Sequence, residues 1–185
     1  PQLEKYGILD QVGALVGVAI TRELGPLMTA LVMAGRVGAS FTAEMGTMKV
    51  SDEILALETM ALNPVKFLIT PRFLAILIML PCLTIIADLM GLTGGYMIGV
   101  GVLGIGSAPY IDHSIDAIQL KDVITGLVKS GVFAVIIVMV GSYMAFIIDS
   151  GAEKVGQNTR TAVVVSMVLI IFADLISTAI FYFYT

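Results

Sequence analysis

The sequence predicts an all-α integral membrane protein, a polytopic bundle of transmembrane helices. Of its 185 residues, 58% are hydrophobic and only 13% are charged, and the mean hydropathy is +1.00. Soluble domains contain about half apolar and about a quarter charged residues. A soluble domain of this length could not bury so much apolar surface, which excludes a secreted domain, a cytosolic enzyme and a nucleic-acid binder. The lone Cys82 lies in an apolar run and predicts no disulfide.

Four apolar stretches are long enough to cross a bilayer as helices, which takes roughly 20 residues each. We place them at Val12–Ala34, Phe73–Val100, Val123–Ile148 and Ala162–Tyr184. In the strands of a membrane barrel, apolar and polar residues alternate. The apolar residues of these four stretches instead form continuous runs. The sequence therefore predicts four transmembrane helices.

The distribution of basic residues predicts the orientation of these spans, because cytoplasmic loops are enriched in Lys and Arg. Segments 36–72 and 149–161 hold six basic residues, whereas segments 1–11 and 107–122 hold two. We therefore expect the first two segments in the cytoplasm and both ends of the sequence on the outer side. A chain that starts outside without a translocation signal is unusual, so we also expect one further span before Pro1.

The longest polar segment contains a predicted helix, Ser51–Leu62. Ser51 is a typical N-terminal cap, and acidic residues follow in the first turn, where the helix dipole favours them. The first-turn acids are Asp52 and Glu53, and an apolar face at helical spacing comprises Ile54, Leu57 and Ala61. Such a helix could lie on the membrane surface or bind a partner. Surface helices are usually basic, so the acids here, Glu58 included, favour a protein partner.

Five ionisable residues lie within the predicted spans, where charges are costly and are functional candidates by default. They are Arg22, Glu23, Asp88, Lys129 and Asp174. Depth counted along the spans matches Arg22 with Asp174 and Lys129 with Asp88, and a Glu23–Lys129 pair is the alternative. The charges either fix the packing of the bundle or line a water-accessible cavity that receives a ligand.

Six short motifs stand between residues 22 and 73. They are Arg22-Glu23-Leu24-Gly25-Pro26, Ala34-Gly35-Arg36, Thr42-Ala43-Glu44-Met45-Gly46-Thr47-Met48, Glu58-Thr59-Met60-Ala61, Asn63-Pro64 and Thr70-Pro71-Arg72-Phe73. Together they resemble the MlaE/YrbE family, the permease subunits of MCE-type phospholipid ABC transporters. The resemblance covers essentially the whole chain.

The resemblance implies a single permease domain over residues 1–185 that works as a homodimer. Members of the family have five spans, so four would be present here, and the N-terminal interfacial helix and the first span would be missing. The implied activity is ATP-driven movement of phospholipid between the inner and outer membranes of a bacterium, which maintains lipid asymmetry. The chain would reside in the inner membrane and would not itself be an enzyme.

The resemblance also implies partners. ATP and magnesium would bind to a separate ATPase subunit, because this sequence has no Gly-x-x-x-x-Gly-Lys phosphate loop. An MCE-domain protein similar to MlaD would meet the outer surface, and a small STAS-domain subunit is a further expected partner. No nucleic acid and no cofactor of its own are expected.

Two sites follow from the resemblance. A central cavity near Arg22, Glu23 and Leu24 would receive lipid, and Lys129 and Asp174 complete this candidate site. The predicted Ser51–Leu62 helix would be the coupling helix that docks on the ATPase. Its candidate contact residues are Ser51, Asp52, Glu53, Leu57 and Glu58.

Neither a catalytic nor a metal site is expected. His113 is the only histidine, and the neighbouring acids Asp112 and Asp116 do not complete a metal-ligand set, so we interpret His113 as a solvated loop residue. The residues alone leave two other functions open, an ion- or proton-coupled secondary carrier and a structural membrane anchor.

Overall fold

The computed structural model describes residues 11–148 and 151–184, and these ranges form helices joined by short connections, without a strand. The described helices are α1 (Val12–Val50), α2 (Glu53–Thr59), α3 (Val65–Gly101), α4 (Ser107–Ala117), α5 (Leu120–Phe146) and α6 (Ala152–Tyr184). Four of them, α1, α3, α5 and α6, are long and apolar enough to cross a membrane. The predicted fold class, an all-α polytopic membrane protein, is confirmed.

The helix that contains the first predicted span is longer than that span, because α1 continues beyond Ala34 to Val50. The polar residues beyond Ala34 find partners that allow the helix to continue. Thr42 Oγ1 donates to the carbonyl of Gly38 at 2.8 Å, and Glu44 forms an ion pair with Arg72 of α3. Two other helices begin earlier than the spans predicted within them. Helix α3 begins at Val65, and α6 begins at Ala152.

Helix α1 contains two π-helical segments, Ile20–Leu24 and Ala34–Gly38. In the first segment the N–H of Gly25 bonds to the carbonyl of Ile20, five residues earlier. A π turn inserts one extra residue into a helix, and such turns occur frequently at functional sites. This one changes which faces of α1 carry the charged residues of the first motif.

The short helix α4 packs on the ends of α1 and α3 that lie opposite to α2. Its Tyr110 is buried, with 4% of its surface exposed. The ring fits because Gly13 and Gly99 have no side chains: a Cβ on Gly99 would lie 2.5 Å from Tyr110 Cε2, and one on Gly13 would lie 2.7 Å from the Tyr110 carbonyl oxygen. His113, which we expected in a loop, is an exposed residue of α4.

The buried core lies where α1, α3, α5 and α6 meet, and it is built from aliphatic and aromatic side chains such as Phe41, Leu80, Phe133, Ile137 and Ile170. Glycines let these helices approach closely. A Cβ on Gly141 would lie 2.9 Å from Phe41 Cδ1. This tight packing encloses the polar groups described next.

Candidate functional site

Lys129 of α5 lies in the interior of the bundle with 0% of its surface exposed. Its ammonium group donates to Glu23 Oε2 at 2.6 Å and to Thr178 Oγ1 at 2.7 Å. It also lies 3.0 Å from Asp174 Oδ1. Glu23 comes from α1, and Asp174 and Thr178 come from α6. These four side chains form one polar group between three spans, which we call the Lys129 cluster.

The hydroxyl of Thr178 completes the Lys129 cluster. Thr178 Oγ1 lies 3.2 Å and 3.3 Å from the two carboxylate oxygens of Glu23. Residues four apart on a helix share a face, so Asp174 and Thr178 both point at Lys129. The sequence analysis missed Thr178, although its spacing from the buried Asp174 was the available signal.

The structure selects one of the predicted ion pairs. The Glu23–Lys129 alternative is confirmed, and the Arg22–Asp174 and Lys129–Asp88 pairs are wrong. The π-helical segment contains both Arg22 and Glu23, and it is Glu23 that contacts Lys129. Depth alone could not distinguish these arrangements, because the extra π residue changes the faces of α1 on which Arg22 and Glu23 lie.

Arg22 stands at the edge of the Lys129 cluster, with 32% of its side chain exposed. Its Nε lies 3.8 Å from Glu23 Oε1, and its Nη1 lies 3.9 Å from Asp122 Oδ1. Asp122 is a second residue that the sequence analysis did not select. Its carboxylate accepts a hydrogen bond from the Gln119 backbone N–H at 3.1 Å and so caps the start of α5.

A cavity of about 590 Å³ opens beside Arg22. Charged and apolar side chains both line it, and they include Arg22, Lys121, Asp122, Ile124 and Phe181. Leu24, the third residue expected at a central cavity, is instead 45% exposed on the outer surface of α1. The structure therefore brings Glu23, Lys129 and Asp174 together, places Arg22 at their rim, and leaves Leu24 apart.

The chemistry of the Lys129 cluster is electrostatic. One ammonium and two carboxylates lie within hydrogen-bonding or ion-pairing distance, and the nearby guanidinium of Arg22 adds a second positive charge. Removing Lys129 would leave the buried carboxylate of Asp174 without its partner, which is strongly destabilising. Within residues 11–148 and 151–184, no group of three or more His, Cys, Asp or Glu side chains could hold a metal ion.

The predicted coupling helix is shorter than expected. Helix α2 covers Glu53–Thr59, so the predicted bounds Ser51–Leu62 are wrong. Ser51 ends α1 and does not cap α2: its Oγ donates to the Thr47 carbonyl and to Glu53 Oε1, both at 3.0 Å. Asp52 is the turn residue between the helices, not part of the first turn, and it adopts a left-handed φ of 61°.

The two faces of α2 have different surroundings. Ile54 is buried, with 3% exposed, and Leu57 packs against the core of the same chain. Ala61, predicted on this face, lies beyond the helix with a φ of 59°. Leu55 and Glu58, three residues apart on the helix, are exposed beside this buried stripe. The apolar stripe therefore anchors α2 to its own bundle, and the exposed side chains beside it are presented outward.

An ion pair joins the helices on both sides of α2. Arg72 of α3 binds Glu44 of α1, and its Nη1 also donates to the Leu68 carbonyl at 3.0 Å. The guanidinium stands 5.8 Å from the centre of the Phe41 ring, in a cation–π arrangement. These contacts hold the ends of α1 and α3 together and fix the base on which α2 stands.

Comparison with known proteins identifies the family. The sequence matches the Permease MlaE family over residues 1–180. It is 40% identical over 178 residues to a probable ABC transporter permease protein of Rickettsia conorii, which covers 96% of this chain and 69% of the relative. It is 34% identical over 171 residues to the intermembrane phospholipid transport system permease protein MlaE of Haemophilus influenzae, covering 92% and 66%.

A plant relative extends the comparison. The chain is 33% identical over 181 residues to the chloroplastic protein TRIGALACTOSYLDIACYLGLYCEROL 1 of Arabidopsis thaliana, which covers 98% of this chain and 52% of the relative. The four spans, the motif-bearing helix α1 and these matches agree. This chain belongs to the MlaE permease family.

Proposed function

We propose that this chain is the permease subunit of an ABC transporter that moves phospholipid between the inner and outer membranes of a bacterium. The observation that carries the proposal is the match to the MlaE permease family over residues 1–180. The Haemophilus influenzae relative is named for intermembrane phospholipid transport. The chain would reside in the inner membrane and contribute to the lipid asymmetry of the two membranes.

ATP hydrolysis belongs, in this proposal, to a separate subunit that binds ATP and magnesium. Helix α2 is the surface we assign to that subunit. Ile54 packs this helix against its own bundle, and the side chains of Leu55 and Glu58, three residues apart, are exposed beside each other. An exposed apolar side chain flanked by an acid suits a partner groove with apolar walls and a basic rim.

The lipid headgroup, in this proposal, enters the cavity beside Arg22. A guanidinium can bind two phosphate oxygens at once, and Arg22 is a third exposed. The Lys129 cluster, in which Lys129 itself is fully buried, joins the spans that form the cavity wall. A second copy of the chain, an MCE-domain protein at the α4 end and a small STAS-domain subunit complete the proposed assembly.

The test is transport by the complete complex in proteoliposomes. We expect a fluorescent phospholipid to leave or enter the vesicles only when ATP is hydrolysed. Arg22→Gln should slow transport, whereas Arg160→Gln, at an exposed arginine of α6, should not. Transport that persists with a non-hydrolysable ATP analogue would contradict the proposal.

A second candidate function is a secondary carrier coupled to protons or other ions. The buried charges of the Lys129 cluster are the observation that favours it, because intramembrane ionisable residues mark ion pathways. The same vesicles distinguish the two functions. Lipid movement driven by an imposed ion gradient without ATP would favour the carrier.

A further inference from the structure

A buried carboxyl group lies apart from the Lys129 cluster. Asp88 of α3 is only 8% exposed. Its Oδ1 has no hydrogen-bond partner in the described parts of the chain, and every ion pair found there joins other residues. The function proposed above makes no use of this group.

The carboxyl of Asp88 occupies space that exists only because residue 25 is glycine. A Cβ on Gly25 would lie 1.6 Å from Asp88 Oδ1 and 2.8 Å from its Cγ. The same Cβ position is 3.1 Å from the carbonyl oxygen of Ile20. We call this contact, formed by Ile20, Gly25 and Asp88 at the end of the first π-helical segment, the Asp88 socket.

None of the charged groups on the helices that pack most closely against α3 forms an ion pair with Asp88 in the described parts of the chain. On α1 and α5, Arg22, Glu23, Lys129 and Asp122 contact one another. The ionisable residues of α4, which are Tyr110, Asp112, His113 and Asp116, make no ion pair with Asp88. On α3 itself, Arg72 pairs with Glu44 at the opposite end of the helix. No described cation compensates a negative charge at Asp88.

We propose that Asp88 is a proton-binding site that makes the contact between α1 and α3 sensitive to pH. An ionised carboxylate without a partner is costly in an interior of low dielectric constant, and such groups bind a proton instead. A neutral carboxyl offers an O–H donor in a socket bordered by a backbone carbonyl. When the contact opens and water enters, the carboxyl releases its proton to that water.

The sign of the effect follows from linkage. The packed arrangement binds the proton more tightly than the open one, so a rising pH favours separation of α1 and α3. The socket adjoins the π-helical segment that carries Glu23, so separation would also displace the Lys129 cluster. This inference depends on the packing of the spans and not on the transported molecule.

Disulfide crosslinking of the complete transporter in membranes measures the contact. Ile20 faces Gly91, where a Cβ would lie 2.9 Å from Ile20 Cγ2. The pair Ile20→Cys and Gly91→Cys in a Cys82→Ala background therefore reports packing of α1 on α3. Asp88→Asn is the matched reference, because its amide keeps a donor and cannot ionise.

We expect the crosslinking yield with Asp88, divided by the yield with Asp88→Asn, to fall by a factor of about 3 or more between about pH 5 and about pH 8. The ratio cancels the pH dependence of thiol oxidation itself. A ratio that is constant with pH would overturn the proposal. A ratio that instead follows sodium concentration at fixed pH would assign the socket to a metal cation and would also overturn it.

Infrared spectroscopy gives an independent readout. A protonated carboxylic acid has a C=O stretch distinct from that of a carboxylate. At about pH 5 we expect such a band to be present with Asp88 and absent with Asp88→Asn. Asp88→Glu, which should move the band, serves if the Asn variant does not fold. Absence of the band at about pH 5 would contradict the inference.

Discussion

The Lys129 cluster and helix α2 use charged residues in opposite ways. In the cluster, the ammonium of Lys129 lies within 3.0 Å of two carboxylates and a hydroxyl from other helices. On α2, the exposed side chain of Glu58 has no hydrogen-bond or ion-pair partner in the described part of the chain. Buried charges therefore fix how the spans pack, and exposed charges on α2 remain available for another subunit.

The largest effect should come from removing the cation of the cluster. Lys129→Met leaves the buried Asp174 without its ion-pair partner and removes the shortest ion pair of Glu23, which should lower the free energy of unfolding by about 3–5 kcal/mol. Thermal unfolding of the purified complex measures this loss. Lys121→Met, at an exposed lysine near the start of the same helix, should change it little. Equal Tm values for the two variants would contradict the role of the cluster.

Double-mutant cycles should separate the pair that forms from the pair that does not. Glu23→Gln with Lys129→Met should show a coupling energy of about 1–3 kcal/mol, because the two groups are in contact. Arg22→Met with Asp174→Asn should show less than about 0.5 kcal/mol if these groups are independent. Chemical denaturation of the purified complex provides the free energies. A larger coupling energy for Arg22 and Asp174 than for Glu23 and Lys129 would support the pairing that depth along the spans predicted.

A smaller effect is expected from a substitution on α2, where the charged side chains are exposed. Glu58→Lys should weaken binding of the ATPase subunit by a factor of about 10, or about 1.4 kcal/mol, without changing the Tm of the permease. Binding to the purified ATPase measures this change. Glu153→Lys, at an exposed acid that begins α6 at the same end of the bundle, is the matched control. Undiminished binding by Glu58→Lys would remove α2 as the docking surface.

The smallest effect concerns the backbone after α2. Ala61 adopts a left-handed φ of 59°, which costs a residue with a Cβ about 1–2 kcal/mol. Ala61→Gly should therefore raise the free energy of unfolding by up to about 1 kcal/mol after the entropy cost of glycine. Ala56→Gly, within α2, should lower it by about 0.5–1 kcal/mol. Both changes are measured by thermal unfolding, and an opposite order would refute the strain at Ala61.

Composition and apolar runs were sufficient to predict the class of the protein and its four spans. They could not predict the helix ends, because polar residues near those ends find partners only in the folded bundle. The ion pair between Glu44 and Arg72 is one example. It joins residues that are 28 positions apart, and it allows α1 to continue through a segment whose sequence is polar.

The sequence also identified all three charged residues of the cluster but did not determine how they pair. Depth along a regular helix predicted Arg22 opposite Asp174, whereas the π-helical segment Ile20–Leu24 turns Glu23 inward. An inserted π residue depends on tertiary packing and leaves no periodic signal. The position of Asp88 against Gly25 was unpredictable for the same reason.

Site-specific photocrosslinking in the assembled transporter tests the contrast between the two regions most directly. A photoreactive amino acid in place of Glu58 should form an adduct with the ATPase subunit, because that side chain is exposed on α2. The same probe in place of Asp116, exposed on α4 at the opposite end, should not. An ATPase adduct from residue 116, or none from residue 58 in a complex that hydrolyses ATP, would contradict the assignment of α2.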